Sequence, residues 1–242
     1  MDIRLQHEIE HGKKIVNHAG EVWNWETPAG KKRWQRRVKM LTSHITAEMQ
    51  VLEVGCGTGY FTKELQKTGA NILAIDISPD LLERARQEVS NANVTFKIEN
   101  AYELSSLSDN SFDTIVGSSV LHHLDIKKAL RQLYRVLKPG GSMYFTEPNM
   151  LNPQIAVQKN VAFVKERAGD SPDETAFFKW QMERLLRANS FSDIRVVPFD
   201  FLHPAIPEKY ILPLENWGEK LERTPVLKQI AGSLYIVCKK EL

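Results

Sequence analysis

Residues 51–59 read VLEVGCGTG: an apolar run stops at Gly55, and three glycines then alternate with small residues. Each mid-chain glycine costs about 0.5–1 kcal/mol relative to alanine, so three together imply a tight turn or a backbone that something approaches closely. The stretch after it, YFTKELQKTGA, puts Phe61 and Leu65 on one helical face and Gly69 at the helix end. Strand, glycine corner and helix together aim bare N–H groups at the mouth of a sheet, where a polar or anionic group binds. Asp76, about 20 residues further on, ends the next apolar run. A carboxylate there can accept two hydrogen bonds from a ribose diol. The competing duty, capping the following helix, already falls to Ser78.

A sheet must position these groups. NILAIDIS (71–78), VTFKIENA (94–101), FDTIVGSSV (112–120) and GSMYFTEPN (141–149) have strand length. Between them, Ser78-Pro79-Asp80 opens a helix whose apolar side holds Leu81, Leu82, Ala85 and Val89. Asp125 caps IKKALRQLYRVL, where Ile126, Leu130, Leu133 and Leu137 keep helical spacing until Lys138-Pro139-Gly140-Gly141 breaks it. Such alternation implies right-handed crossovers and a doubly wound, mostly parallel α/β sheet. Ligands of such sheets lie beyond the carboxyl ends of the strands. That places Gly55–Gly59, Asp76, Asn100, Ser118–His123 and Glu147–Asn149 at the site. In the last third, Ser171-Pro172-Asp173-Glu174 reads as a capping box opening a helix through Arg187, with Phe178, Met182 and Leu185 facing the core. Residues 191–204 and 233–240 read as strands on either side of a helical stretch at 214–221.

A ribose-binding acid suits both NAD and S-adenosylmethionine. The dinucleotide fingerprint asks for a third Gly or Ala at position 60, beside a pyrophosphate. Tyr60 stands there, which favours a ligand without the pyrophosphate. VLEVGCGTGYF, AIDIS, ENAYELSSLSDNSFD, VLHHL and RVLKPGGSMYFTEP resemble, in order, the motifs of the class I S-adenosylmethionine-dependent methyltransferases, most of all the small-molecule group called type 11. The resemblance covers roughly residues 48–148. It implies a Rossmann-like sheet of seven strands, the last antiparallel and inserted beside the sixth. It also implies S-adenosyl-L-methionine as cofactor, and a small-molecule methyl acceptor.

Carried over residue by residue, the resemblance has Gly55 and Gly57 meet the methionine moiety and Glu53 orient that region or its amino group. Asp76 would hold the ribose, Ile77 would lie on the adenine face, and Asn100 and Ala101 would meet the adenine edge. Glu99-Asn100-Ala101 departs from the family's Gly-Asp-Ala, so the Asn100 carbonyl would accept without charge assistance. Ser118 would lie under the sulfonium through its carbonyl. Methyl transfer is an in-line displacement that rests largely on positioning. His122 and His123 are the candidate catalytic residues, either taking a proton from the acceptor or merely shaping the loop. No metal site is expected, because adjacent histidines lack chelating geometry and no cysteine cluster joins them. Glu147 either orients substrate or bonds the neighbouring loop. Asp200 and His203 read as ordinary loop residues.

Residues 1–45 read as an N-terminal helical cap or lid over a catalytic domain at 46–242. In the cap, Trp23 and Trp25 either close over a cationic sulfonium or pack the cap onto the core. In KKRWQRRVK, Trp34, Val38 and Leu41 keep the spacing of an amphipathic helix with Lys and Arg on its wet side. That reading is against nucleic acid, although Arg37 is placed to reach the cofactor carboxylate. Residues 150–172 read as an insertion shaping the substrate pocket, with Ile155, Val157, Val161, Phe163 and Val164 as its apolar side. The 242 residues suffice for one full core, and a formal charge of +2 argues for no polyanionic partner. Two cysteines make no disulfide framework, and the charged start MDIRLQHEIEHGKK is no signal peptide. A cytoplasmic protein without a membrane span is expected, as a monomer or homodimer. An RNA- or protein-directed methyltransferase and a non-catalytic cofactor-binding protein stand as alternatives.

Overall fold

A computed structural model describes residues 2–242. Seven strands make one sheet: β1 (Gln50–Val54), β2 (Asn71–Asp76), β3 (Val94–Ile98), β4 (Phe112–Ser118), β5 (Leu137–Pro148), β6 (Phe191–Phe199) and β7 (Ser233–Lys240). Their order is β3-β2-β1-β4-β5-β7-β6. β1 to β5 run parallel, and β7 runs antiparallel between β5 and β6. The strand order reverses at β1 and β4, so a crevice opens beyond their carboxyl ends. The central strands are apolar on both faces because helices cover both. Leu52, Ile115, Phe145 and Ile236 pack into one core, while their chain neighbours Val51, Val116, Tyr144 and Val237 pack into the other. That is the period of two that a strand imposes.

The helices are α1 (Ile3–Ile15), α2 (Ala19–Val22), α3 (Pro28–Thr42), α4 (Thr62–Leu65), α5 (Pro79–Glu88), α6 (Ile126–Val136), α7 (Pro153–Asn160), α8 (Ala162–Arg167), α9 (Lys179–Ala188) and α10 (Ile211–Arg223). Two caps follow the sequence reading, Ser78 accepting from Leu81 N and Asp125 from Lys127 and Lys128 N, and Thr27, which that reading did not single out, caps α3 by accepting from Gly30 N.

Other elements differ from the sequence reading. The helix after the glycine corner is a single turn, α4, tightened into a 3-10 turn over Gln66–Thr68 and ended by Gly69 in the left-handed region. The capping box at Ser171 forms its reverse half, Ser171 N donating to Glu174 Oε1 at 2.7 Å, yet no helix follows until Lys179. Instead Thr175 N donates to the carbonyl of His122, and Phe177 bridges Asn149. The segment is held by the site rather than by its own helix. The expected apolar side of residues 150–172 breaks up as well. Val157, Val161 and Phe163 face solvent, because the chain changes phase at Val161 between α7 and α8. α3 carries Leu41 into the core on one face of the sheet.

Candidate active site

Gly55 and Gly57 have φ of +67° and +53°, in the left-handed region that disfavours side chains. Space forbids them too. A Cβ at Gly55 would lie 2.3 Å from Val120 Cγ2, and one at Gly57 would lie 2.7 Å from the Trp23 ring. The corner is thus shaped by β4's following loop and by the indole of Trp23. Asp76, at the end of β2, fixes it from the side: Oδ2 accepts from Gly57 N and Oδ1 from Ser78 N, each at 2.9 Å. Each oxygen keeps a second lone pair for a ligand. Burial raises the Asp76 pKa against the pull of those two amides.

Glu53 lies beneath the corner, buried, accepting from Thr62 Oγ1 at 2.6 Å. Burial pushes its pKa up to about 7, against that hydrogen bond and with Asp76's charge adding to the rise. It does not line the cavity.

The cavity has a volume of about 420 Å³, within the range of small-molecule sites. Gly55, Gly57, Asp76, Ile77, Ala101 and Ser118 all line it. Asn100 does not. Its Oδ1 accepts from Tyr102 N at 2.9 Å, a local turn, so the expected adenine contact falls to its neighbours Glu99 and Ala101, which do face the cavity.

His122 and His123 stand in the 3-10 turn after β4, at the cavity wall. His122 is buried, and its Nδ1 lies 2.7 Å from Glu147 Oε2. Glu147 also accepts from the backbone N–H groups of Val120, Leu121 and His122. It is the anchor of that loop, not a group facing substrate. His123 Nδ1 lies 2.8 Å from Glu8 Oε2 on α1 and 3.7 Å from Glu174 Oε1. Burial disfavours a proton on His123, but Glu174 and Glu8 outweigh it and raise its pKa to about 9. The same imidazoles hold the Glu174 carboxyl well below its ordinary range, against its burial. Lys159 Nζ, from α7, bridges Glu174 at 2.5 Å and Asp170 at 2.7 Å. The adjacent histidines therefore do converge: one ligand atom each from His122, His123 and Glu174 lies within 4.8 Å of the others.

Two further corrections concern the other end of the cavity. Asp200 is no ordinary loop residue: buried after β6, it accepts from Arg33 Nε at 2.8 Å and from Arg37 at 2.9 Å. Arg37 is buried too, donates to Ser233 Oγ, and lies over the rings of Trp25 and Phe199. Burial lowers its pKa to about 10 even with Asp200 beside it. The basic run is therefore not a wholly wet face; Arg36 is also paired, with Glu222. Sequence reasoning missed Glu8, Lys159, Asp170 and the site role of Glu174. Only Glu174 left a trace, as the acid of the capping box.

The donor set fits S-adenosylmethionine: a carboxylate with free lone pairs for a diol, a glycine corner with no room for side chains, and a buried guanidinium with an unpartnered Nε at the far wall. Residues 52–145 match a family model described as "Methyltransferase domain". The chain is 29% identical over 157 residues to the mitochondrial ubiquinone biosynthesis O-methyltransferase of Mus musculus, which covers 60% of this chain and 41% of that one. Its counterpart in Xanthomonas oryzae pv. oryzae is 32% identical over 106 residues, 43% of this chain and 44% of that one. This chain thus spans less than half the length of these curated relatives. Among solved structures, a SAM-dependent methyltransferase from Thermotoga maritima has TM-score 0.69 at 18% identity, covering 96% of this chain and 100% of that one. The N-methyltransferase NodS of Bradyrhizobium japonicum, in complex with S-adenosyl-L-homocysteine, has TM-score 0.66 at 15% identity, covering 97% and 98%. With the glycine corner, the carboxylate of β2 and the β7 insertion around it, residues 52–145 match a methyltransferase domain, and the chain has the fold of these solved methyltransferases.

Proposed function

We propose that this protein transfers the methyl group of S-adenosylmethionine to a small-molecule acceptor. The observation that carries this is one cavity joining Gly55, Gly57 and Asp76 to the wall made by His122 and His123. When bound, the cofactor supplies a methyl group already activated on a sulfonium. Asp76 holds the ribose diol while bonding Gly57 N, so one carboxylate orders both the sugar and the corner. Ile77 and Ala101 flank the adenine, with Asn100 acting through the turn it closes. Gly55 and Gly57 take the methionine moiety, Glu53 favours its amino group from below, and Ser118 lies along its length. Arg37, through Nε, receives the methionine carboxylate. Trp23, packed against Gly57 in the cavity wall, sets an aromatic ring beside the place of a sulfonium cation.

Catalytic assignment goes to His122 and His123, whose rings stand in the cavity wall at the acceptor end. Residues of α7 and the following loop, among them Ile155, Gln158 and Lys159, close that end and shape the acceptor pocket. The relatives are named for O-methyl transfer and the neighbour for N-methyl transfer, so oxygen and nitrogen acceptors are the classes to screen. The pairing of Arg33, Arg36 and Arg37 with Asp200 and Glu222 commits these three guanidiniums of α3 within the fold, which supports a small acceptor over RNA.

Calorimetry tests the reading. S-adenosylhomocysteine is expected to bind at one site and NAD not at all. Asp76→Ala should weaken binding about 100-fold or more, since two hydrogen bonds to a charged group are lost at about 1.5–3 kcal/mol each. A flat titration at millimolar ligand, or unchanged affinity in the variant, refutes the assignment.

A further inference from the structure

We propose that His11, on α1, is the general base of the reaction, and that the acceptor it serves is a phenolic hydroxyl. The assignment rests on the methyl-transfer function proposed above. Within it, His122 and His123 hold the acceptor in place and a third imidazole takes its proton.

Three histidines line the cavity: His11, His122 and His123. Two of them are already engaged. His122 Nδ1 is committed to Glu147, and its Nε2 faces Glu174 Oε2 at 3.7 Å. His123 Nδ1 lies 2.8 Å from Glu8 and 3.7 Å from Glu174. Those two carboxylates outweigh burial and raise the His123 pKa to about 9, so near neutral pH its ring already holds both protons. An imidazolium can donate a hydrogen bond to an acceptor oxygen, but it cannot take the proton.

His11 differs on each count. It stands one turn after Glu8, near the face of α1 that also brings Leu5, Gly12 and Ile15 to the cavity. Its ring makes no hydrogen bond among the described residues, and the charges of Glu174, Glu8, His123 and Asp170 all act on it, which places it at the acceptor end. Glu8 comes from α1 itself, His123 from the turn after β4, and Glu174 and Asp170 from the segment before α9, where Lys159 of α7 pairs with both acids. Burial lowers the His11 pKa below 6.5, with the His123 charge in the same direction and the three carboxylates against it. The imidazole is therefore neutral near physiological pH. It is also only half-buried, so a proton it takes can pass on to water.

The acceptor oxygen bonds the methyl carbon as the carbon–sulfur bond breaks, and that electron pair stays on sulfur as a neutral thioether. The O–H proton passes to a ring nitrogen of His11, so the positive charge lost at sulfur reappears on the imidazolium. A base of this kind suits a group of pKa about 10 that keeps its proton until transfer, which describes a phenol. An amine in its nucleophilic form attacks before it loses a proton and makes no such demand. Leu5 and Ile155 give the cavity apolar surface for an aromatic ring.

Catechol with labelled S-adenosylmethionine is the probe, and phenethylamine the comparison. Transfer to the catechol oxygen is expected. His11→Ala should lower kcat about 100-fold or more, with KM and S-adenosylhomocysteine affinity held within about threefold. The parent's rate should fall as pH drops through the His11 pKa, below 6.5. The variant should lose that limb, and added imidazole should restore part of its rate. His18→Ala, exposed beyond α1, should match the parent. Imidazole NMR titration of the unliganded protein, which needs no acceptor, should find His11 neutral and His123 protonated near neutral pH. The base is overturned by a kcat within about threefold of the parent in His11→Ala, by an acid limb that persists there, or by a protonated His11 near neutral pH. The phenol is overturned by transfer to phenethylamine alone or to neither probe. Calorimetry with S-adenosylhomocysteine reads the methyl-transfer function separately: binding with no effect of His11→Ala on turnover refutes only the base, and a flat titration refutes the function and the base together.

Discussion

Replacing Glu53 with glutamine should make the protein more stable at mildly alkaline pH. Glu53 is a carboxyl without a cation, enclosed under the glycine corner and bonded only by Thr62. Burial raises its pKa from 4.5 to about 7 in the folded protein. The unfolded chain lets it ionise near 4.5, so the unfolded state sheds the proton first. Below about 4.5 both states hold the proton and Glu53 costs nothing. As pH rises through about 7 the folded state must ionise a buried group, and stability is lost across that window. The gap of about 2.5 pKa units corresponds to about 3 kcal/mol when fully developed. Between about pH 5 and about pH 8 the difference between variant and parent should grow by about 2.5 kcal/mol. Glutamine keeps a carbonyl for Thr62 Oγ1, so the variant isolates the charge. Urea unfolding of both proteins at the two pH values, without cofactor, reads the difference, and the common pH dependence of all other groups cancels. Parallel stability curves would sink the argument that enclosure governs Glu53.

Asp200→Ala should destabilise the protein by about 3–5 kcal/mol, because it leaves the buried Arg37 without its carboxylate; chemical denaturation showing less than about 1 kcal/mol of change contradicts that pairing. Gly57→Ala should leave a folded protein with at least tenfold weaker S-adenosylhomocysteine binding and altered tryptophan fluorescence, since the new Cβ meets the Trp23 ring at 2.7 Å; unchanged emission and affinity would show that the corner is looser than its geometry implies.

Much of the frame was legible because its signals are local. Gly55, Gly57 and Gly69 announce positive φ by having no side chain, and all three adopt it. Ser78 and Asp125 cap helices through atoms two or three residues away. The strand and helix alternation depends on periodicity within each segment, and it implied the mostly parallel sheet found; the antiparallel strand inserted beside the sixth was expected only from the family resemblance. Where local signals met tertiary demands, the latter prevailed. Ser171-Pro172-Asp173-Glu174 has the pattern of a helix start, yet Glu174 is drawn away by Lys159 and the two histidines. Asp200 looks like any acid after a strand until α3 brings Arg33 and Arg37 over it.

From the chain order alone came the doubly wound sheet, the glycine corner and the carboxylate that ends β2, since propensity, spacing and backbone freedom act over a few residues. The acceptor end was decided only in three dimensions. Glu8, His123, Lys159 and Glu174 come from four separate elements, and no spacing in the sequence relates them. Their meeting follows from how α1 and the segment after α8 fold across the ends of the strands. Coulomb energies act through space and fall off with distance rather than with residue number, so the groups that govern one another here became visible only once the chain had brought them together.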